Sequence, residues 1–231
     1  MDDEKVNTDS KSGVSGLLAF LNWLKELPRW AAIVSGAIVA IPPLYILVNG
    51  WLNAPRPQIL HVPVDVSRDY HPEGFMGDGE ICSSCVQINE AFRGKPRSGT
   101  LNGLSIRISY AKPAGKGFAG IYWLAPNSNW GENPGRRVVG ATKVSFWAAG
   151  ENGGEVVEFT AGGITKSRSN KFFDSFRASR GKLVLEKEWR RYEIDLRDAS
   201  LEDVIGAFEW NAADNWNQLP LVFYLSDIRY E

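Results

Sequence analysis

The residues most suited to chemistry lie in one short stretch, RRYEIDLRD at 190–198, which carries three carboxylates. Alternation puts Glu193 and Asp195 on one face of an expected strand, with Asp198 three residues on. A retaining glycosidase needs two carboxyl groups about 5–5.5 Å apart, one as nucleophile and one as acid. Asp198 is short and falls where a turn is expected, so this spacing does not build such a pair. There is no G-x-S-x-G elbow and no glycine-rich phosphate loop ending in Lys-Ser/Thr. His61 and His71 have no evident partner and read as solvated. The expectation is a protein that is not an enzyme.

Cys82 and Cys85, in ICSSC, are the only two cysteines. With only two histidines elsewhere, a Cys₄ zinc site is impossible, and a Cys₂His₂ site would consume every available ligand. Haem attachment needs a histidine after the second cysteine, and Val86 stands there. An oxidising compartment would join the pair in a local disulfide; a reducing one would leave two thiols.

Binding chemistry is better provided for. The chain of 231 residues has nine Trp, 23 Gly and 12 Pro, a mix suited to strands, tight turns and aromatic surfaces. Sugar recognition needs flat aromatic faces beside amide and carboxyl groups. Tyr122 and Trp123 in GIYW, Trp130 in NSNWGEN, Glu209, Trp210 and Asn211 in FEWNA, and Trp216 in DNWNQ are the candidates. Neighbours on a regular strand face opposite ways, so Tyr122 and Trp123 cannot both line one pocket. Trp130 and Trp216, among Asn and Gly, are expected to be the exposed ones, and Trp147 and Trp189 to pack the core. With 26 Lys+Arg against 27 Asp+Glu, no basic surplus points to nucleic acid.

The elements that position these residues begin with an N-terminal apparatus. Residues 1–13 are polar and read as a disordered tail. Residues 14–29 carry Leu17, Phe20, Leu21 and Leu24 at helical spacing, predicting an amphipathic helix at a membrane interface or against a partner protein. Residues 30–52 are expected to form one transmembrane helix in the lipid bilayer, since 31–52 contain no charge and Trp30 and Trp51 bracket the run. Lys25 and Arg29 before it, against Arg56 after it, predict a cytoplasmic N-terminus and a periplasmic or extracellular C-terminal domain. Residues 53–75 read as a linker and entry segment, stiffened by Pro55 and Pro57.

From about residue 100, at least seven alternating runs are separated by Gly/Asn/Pro clusters, with almost no helical signal. The one exception is the capping-box pattern at 200–203, which predicts one or two helical turns. The fold class is mainly β, an antiparallel jelly-roll sandwich.

The order SFWAAG, GGEVVEF, then Trp189, Tyr192, Ile194, Asp195 and Leu196, then Leu201, Val204, Gly206 and Phe208, and finally FYLSDIRYE, resembles the galactose-binding-like jelly rolls found as carbohydrate-binding modules. The resemblance covers roughly 75–231 and implies a jelly-roll domain over 76–231. It also implies a structural Ca²⁺ near the first and last strands, with Asp227 as a ligand and Glu80 or Asp78 approaching it; Ser226 stands where the family usually has a second Asp. The alternative for Asp227 is a strand-end cap or a pair with Arg229 or another arginine. Family 16 glycoside hydrolases, also jelly rolls, carry E-x-D-x-x-E, which Glu193 and Asp195 match and Asp198 does not.

Together these readings predict a membrane-anchored, non-catalytic module that binds glycans. The rival is an accessory subunit of a membrane complex whose jelly roll binds protein.

Overall fold

The computed structural model describes residues 22, 42–50, 56–99 and 103–231. The chain divides into two units, Met1–Ala54 and Pro55–Glu231. In the first, residues 42–50 are helical, and Leu44, Tyr45, Ile46 and Leu47 are exposed. The expected tail, all of the amphipathic helix but Asn22, and most of the expected membrane helix lie outside the described residues. Among those described, no helix is long and apolar enough to cross a membrane.

The second unit is built from thirteen strands: β1 (Gln58–His61), β2 (Val64–Asp65), β3 (His71–Gly77), β4 (Val86–Phe92), β5 (Ser105–Tyr110), β6 (Phe118–Leu124), β7 (Arg136–Val139), β8 (Lys143–Gly150), β9 (Val156–Gly162), β10 (Arg177–Val184), β11 (Arg190–Asp195), β12 (Gly206–Ala213) and β13 (Leu221–Tyr230). Two antiparallel sheets face each other, in the orders β10-β9-β12-β6-β3 and β11-β8-β13-β5-β4, and β2 also pairs with β13. β1 and β7 form a small parallel pair. The segment expected to be a linker up to residue 75 therefore supplies three strands to the domain. Pro72 is tolerated because β3 is an edge strand, where the missing N–H interrupts no ladder.

Strand alternation decides which side chains meet between the sheets. Phe146 and Ile194 from one sheet, and Phe159, Phe208 and Trp210 from the other, are all buried. Phe146 lies 4.8 Å from Phe159 and 5.1 Å from Phe208, centroid to centroid, so aromatic rings bridge the layers. Such offset and edge contacts add about 0.5–1.5 kcal/mol each beyond burial. The closing strand β13 is central: it pairs with β5 through Leu221–Leu225 and with β8 along most of its length.

The capping-box pattern at 200–203 gives no helix. Val204 bridges to Arg136, the Asp203 carboxylate accepts from Gly135 N–H at 2.6 Å, and its carbonyl accepts from Ser175 N–H at 2.9 Å. Tertiary partners take the groups that a helix start would have used.

Candidate functional site

β6 places Ile121 and Trp123 in the core and turns Tyr122 to the outer face of the five-stranded sheet. There Tyr122, Leu124, Ile164 and Ile205 form a second small apolar cluster, with Met76 and Phe172 against it. Trp130 reaches the same place from the loop after β6. Its ring meets Tyr122 edge-on at 5.9 Å and 84°, and the residue is 37% exposed.

That loop is held by Asn129, which is 1% exposed. Its amide donates to the Ala125 and Asn133 carbonyls, both at 3.0 Å, and its oxygen accepts from Gly131 and Asn133 N–H, both at 3.1 Å. The carbonyl of Gly131 in turn accepts from Lys171 and Phe172 N–H at 2.9 Å, tying the loop to residues 163–176. Gly131 has φ +111, and a Cβ there would stand 2.4 Å from the Phe172 carbonyl oxygen, so only glycine lets the loops touch.

The second loop is pinned by Asp174, which accepts from Ile164 N–H (2.7 Å), Ile205 N–H (2.5 Å) and Gly206 N–H (3.1 Å). Burial pushes this carboxyl up to about 7, while the three amides act against that rise. Between the loops lies a groove of about 380 Å³, lined by Tyr122, Trp130, Thr165, Ser167, Ser169 and Asn170 among others. Two aromatic rings thus stand beside hydroxyls and an amide on fixed backbone.

β12 adds the next polar groups. Phe208 and Trp210 point into the core, so Glu209 and Asn211 emerge on the groove side, with Glu209 in register with Tyr122. Asn211 Nδ2 donates to Glu209 Oε1 at 3.1 Å. Burial raises the Glu209 carboxyl, and the Asn211 hydrogen bond opposes it. Burial likewise raises the Tyr122 phenol, with Glu209 adding to it.

The candidate set therefore divides. Tyr122 and Trp130 line the groove, and Glu209 and Asn211 lie on the same sheet face beside Tyr122. Trp123 and Trp210 do not join them: both are fully buried, against Phe208 (5.6 Å) and Phe223 (5.1 Å), because strand alternation turns them inward. Trp216 stands at the far end of β12, half-buried under Lys182, whose Nζ lies 3.7 Å from the ring centroid. Trp147 and Trp189, expected in the core, are half-buried; Arg97 stacks on Trp147 at 4.7 Å. The 165–170 segment, TKSRSN, carried no sequence signal for a site; only the fold brings it to Trp130.

The expected calcium ligands do not converge. Asp78 is buried at the end of β3, accepting from the Tyr110 hydroxyl at 2.6 Å and Lys116 N–H at 2.9 Å. Burial alone would raise its pKa, but the Tyr110 hydroxyl and the Lys116, Ala114 and Gly115 amides hold it below the ordinary value. Glu80 pairs with Lys116 at 3.0 Å. Tyr110 is in register with Leu221, and Asp227 lies six residues further along β13, roughly 20 Å away at strand rise. Asp227 sits with φ 49 where the β13 register shifts, paired with Arg97 and with Arg229. Two arginines supply the positive charge that an ion would have supplied. Among the described residues no cluster of three or more His, Cys, Asp or Glu side chains could hold a metal ion. Cys82 and Cys85 are joined as a disulfide in the turn before β4.

The carboxylates on β11 are committed to ion pairs. Glu193 meets Lys143 at 2.7 Å, and that hydrogen bond lowers its pKa; Arg197 holds Asp195 down to about 2. A glycosidase acid must hold a proton near neutral pH, so neither group suits that role. The cleft beside them, about 540 Å³, is lined by these paired charges and has Tyr192 as its one aromatic ring.

No protein-family model matches the chain, and no curated protein does. Among solved structures it is similar to a family 11 carbohydrate-binding module of a cellulosomal cellulase of Clostridium thermocellum, at 16% identity and TM-score 0.42 over 73% of this chain and 92% of that one. A family 30 carbohydrate-binding module matches at 15% identity and TM-score 0.43, over 69% of this chain and 82% of that one. A third, TmCBM61 in complex with β-1,4-galactotriose, matches at 13% identity and TM-score 0.37, over 72% and 94%. Likeness this distant gives no residue of this chain a role.

Proposed function

We propose that the protein is a non-catalytic, glycan-binding module of galactose-binding-like jelly-roll type, with its site on the outer face of the five-stranded sheet. The observation that carries this is the exposed Trp130 ring, edge-on to Tyr122 above a groove lined by Ser and Thr hydroxyls and the Asn170 amide. An indole face takes the apolar C–H face of a pyranose, and short polar side chains take its hydroxyls. Asn129 and Gly131 fix the loop beforehand, which lowers the ordering cost of binding. The uncharged run at 31–52 would hold the module at a membrane, with the β domain on the periplasmic or extracellular side.

The test is a glycan array probed with the full chain in mild detergent, beside Trp130→Ala. Binding that falls about tenfold or more in the variant supports the site. A blank array would sink the glycan reading, and a membrane protein co-purifying with the chain would favour the accessory-subunit alternative.

A further inference from the structure

Two polar atoms on the same sheet face have no hydrogen-bond partner: Glu209 Oε2 and Thr160 Oγ1. Their residues are 5% and 0% exposed. Native structures leave few such groups, because each unmade bond costs about 1–3 kcal/mol. The two residues are not scattered, either. Phe159 and Ala161 point into the core, so Thr160 faces out from β9, and it is in register with Glu209 on β12. Side chains directly opposite across two strands stand about 4.5–5.5 Å apart at Cβ, within reach of one small group. On its other side Glu209 is in register with Tyr122, which lines the Trp130 groove.

The neighbours are already engaged elsewhere. Asn211 is used on Glu209 Oε1, and Ser179 donates to Glu158 Oε1 at 2.9 Å. The Tyr122 hydroxyl makes a long 3.5 Å bond to the Gly162 carbonyl and a side-chain hydrogen bond to the Glu209 carboxylate, which leaves Oε2 as the unfilled oxygen. Arg177 offsets the charge from across the face but makes no hydrogen bond to Glu209; with Glu158 alongside, the local sum is one negative charge. Its exposed side chain packs on Gly163 beside the Tyr122 hydroxyl.

We infer that Glu209 and Thr160 are the hydroxyl-reading element of the site and that they restrict it to neutral sugars. This rests on the glycan reading above. An alcohol can donate to Glu209 Oε2 and accept from the Thr160 hydroxyl at once, satisfying both atoms. A uronate carboxylate or a sulfate only accepts; it would leave Glu209 unpaired and meet its charge. Both groups are buried, so a sugar reaches them only when the side chains over them move.

The test uses the full chain in mild detergent against matched neutral, uronic-acid and sulfated oligosaccharides. The wild type is expected to favour the neutral set by about tenfold or more, the scale of one charged hydrogen bond. Glu209→Gln, nearly isosteric, is expected to lose about tenfold in affinity at an unchanged melting temperature. Thr160→Val fills the same volume and should weaken neutral binding by a smaller factor; it carries the test if Glu209→Gln does not fold. A wild type that binds acidic glycans as well as neutral ones overturns the inference. So do variants that bind as the wild type does, since the pair would then hold only an enclosed water. A chain that binds no glycan overturns the parent reading and this one with it.

Discussion

Replacing Asp78 tests whether that carboxylate is a structural hub. It is fully buried in the single helical turn after β3, and accepts from the Tyr110 hydroxyl at 2.6 Å and Lys116 N–H at 2.9 Å. Tyr110 is itself fully buried, so its phenol has no water to turn to. A hydrogen bond to a charged group is worth about 1.5–3 kcal/mol. Asp78→Asn keeps one acceptor oxygen but presents N–H to the second donor, so a loss of about 2–3 kcal/mol is expected at neutral pH. Adding Tyr110→Phe removes the stranded hydroxyl, and the double variant should recover about 1 kcal/mol or more relative to additivity. The pH dependence has a fixed sign. The native pKa of Asp78 is depressed, so its contribution is full above the ordinary Asp value near 4 and is lost as pH falls through the lowered native value. Wild type and Asp78→Asn should therefore converge in acid. Urea unfolding followed by tryptophan fluorescence, from about pH 7 down to about pH 2, reads both quantities. A variant within about 0.5 kcal/mol of wild type at neutral pH, or a gap that persists in acid, would refute the hub.

Three further outcomes are expected. Trp210→Ala, which empties core space against Phe223, should cost about 3–5 kcal/mol, whereas Trp130→Ala, at a partly exposed ring, should cost about 1–2 kcal/mol while lowering binding about tenfold or more; denaturant midpoints separate them. Asp174 has the opposite sign to Asp78: its pKa is raised to about 7, so its contribution is complete below about pH 4 and is lost as pH rises through 7, a slope that Asp174→Asn should flatten in unfolding free energy. Asp227→Ala removes the carboxylate paired with Arg97, whose side chain is only 9% exposed, and should cost about 1–2 kcal/mol; calcium or a chelator should move neither melting curve, and a calcium-dependent rise would restore Asp227 as a ligand.

Alternation makes much of the sandwich legible in the sequence. Val144 and Phe146, or Phe223 and Leu225, declare a buried face because a strand repeats every two residues. The same rule separated Tyr122 from Trp123. It did not say which of the two would face the core, because either choice buries a large aromatic; packing against Phe208 settled that. Trp147 and Trp189 show the limit of composition. Hydrophobic type suggested the core, yet β8 offers Phe146 inward and leaves Trp147 outside for Arg97.

What the sequence determined by itself was local: strand periods, turn residues, the uncharged run at 31–52, and a carboxylate near the end of the closing strand. What only the tertiary structure decided was which distant groups meet. The resemblance to galactose-binding-like modules implied that Asp78 or Glu80 would approach Asp227, but the β5–β13 register sets Asp78 and Asp227 roughly 20 Å apart. Trp130 and Asn170 are forty residues apart and form one groove because Gly131 and Asp174 close their loops onto the same sheet face. Glu209 was a candidate from its own sequence, but Thr160 joined it only when β9 was laid beside β12. Register fixes such encounters, and register is a property of the whole packed sandwich rather than of any one segment.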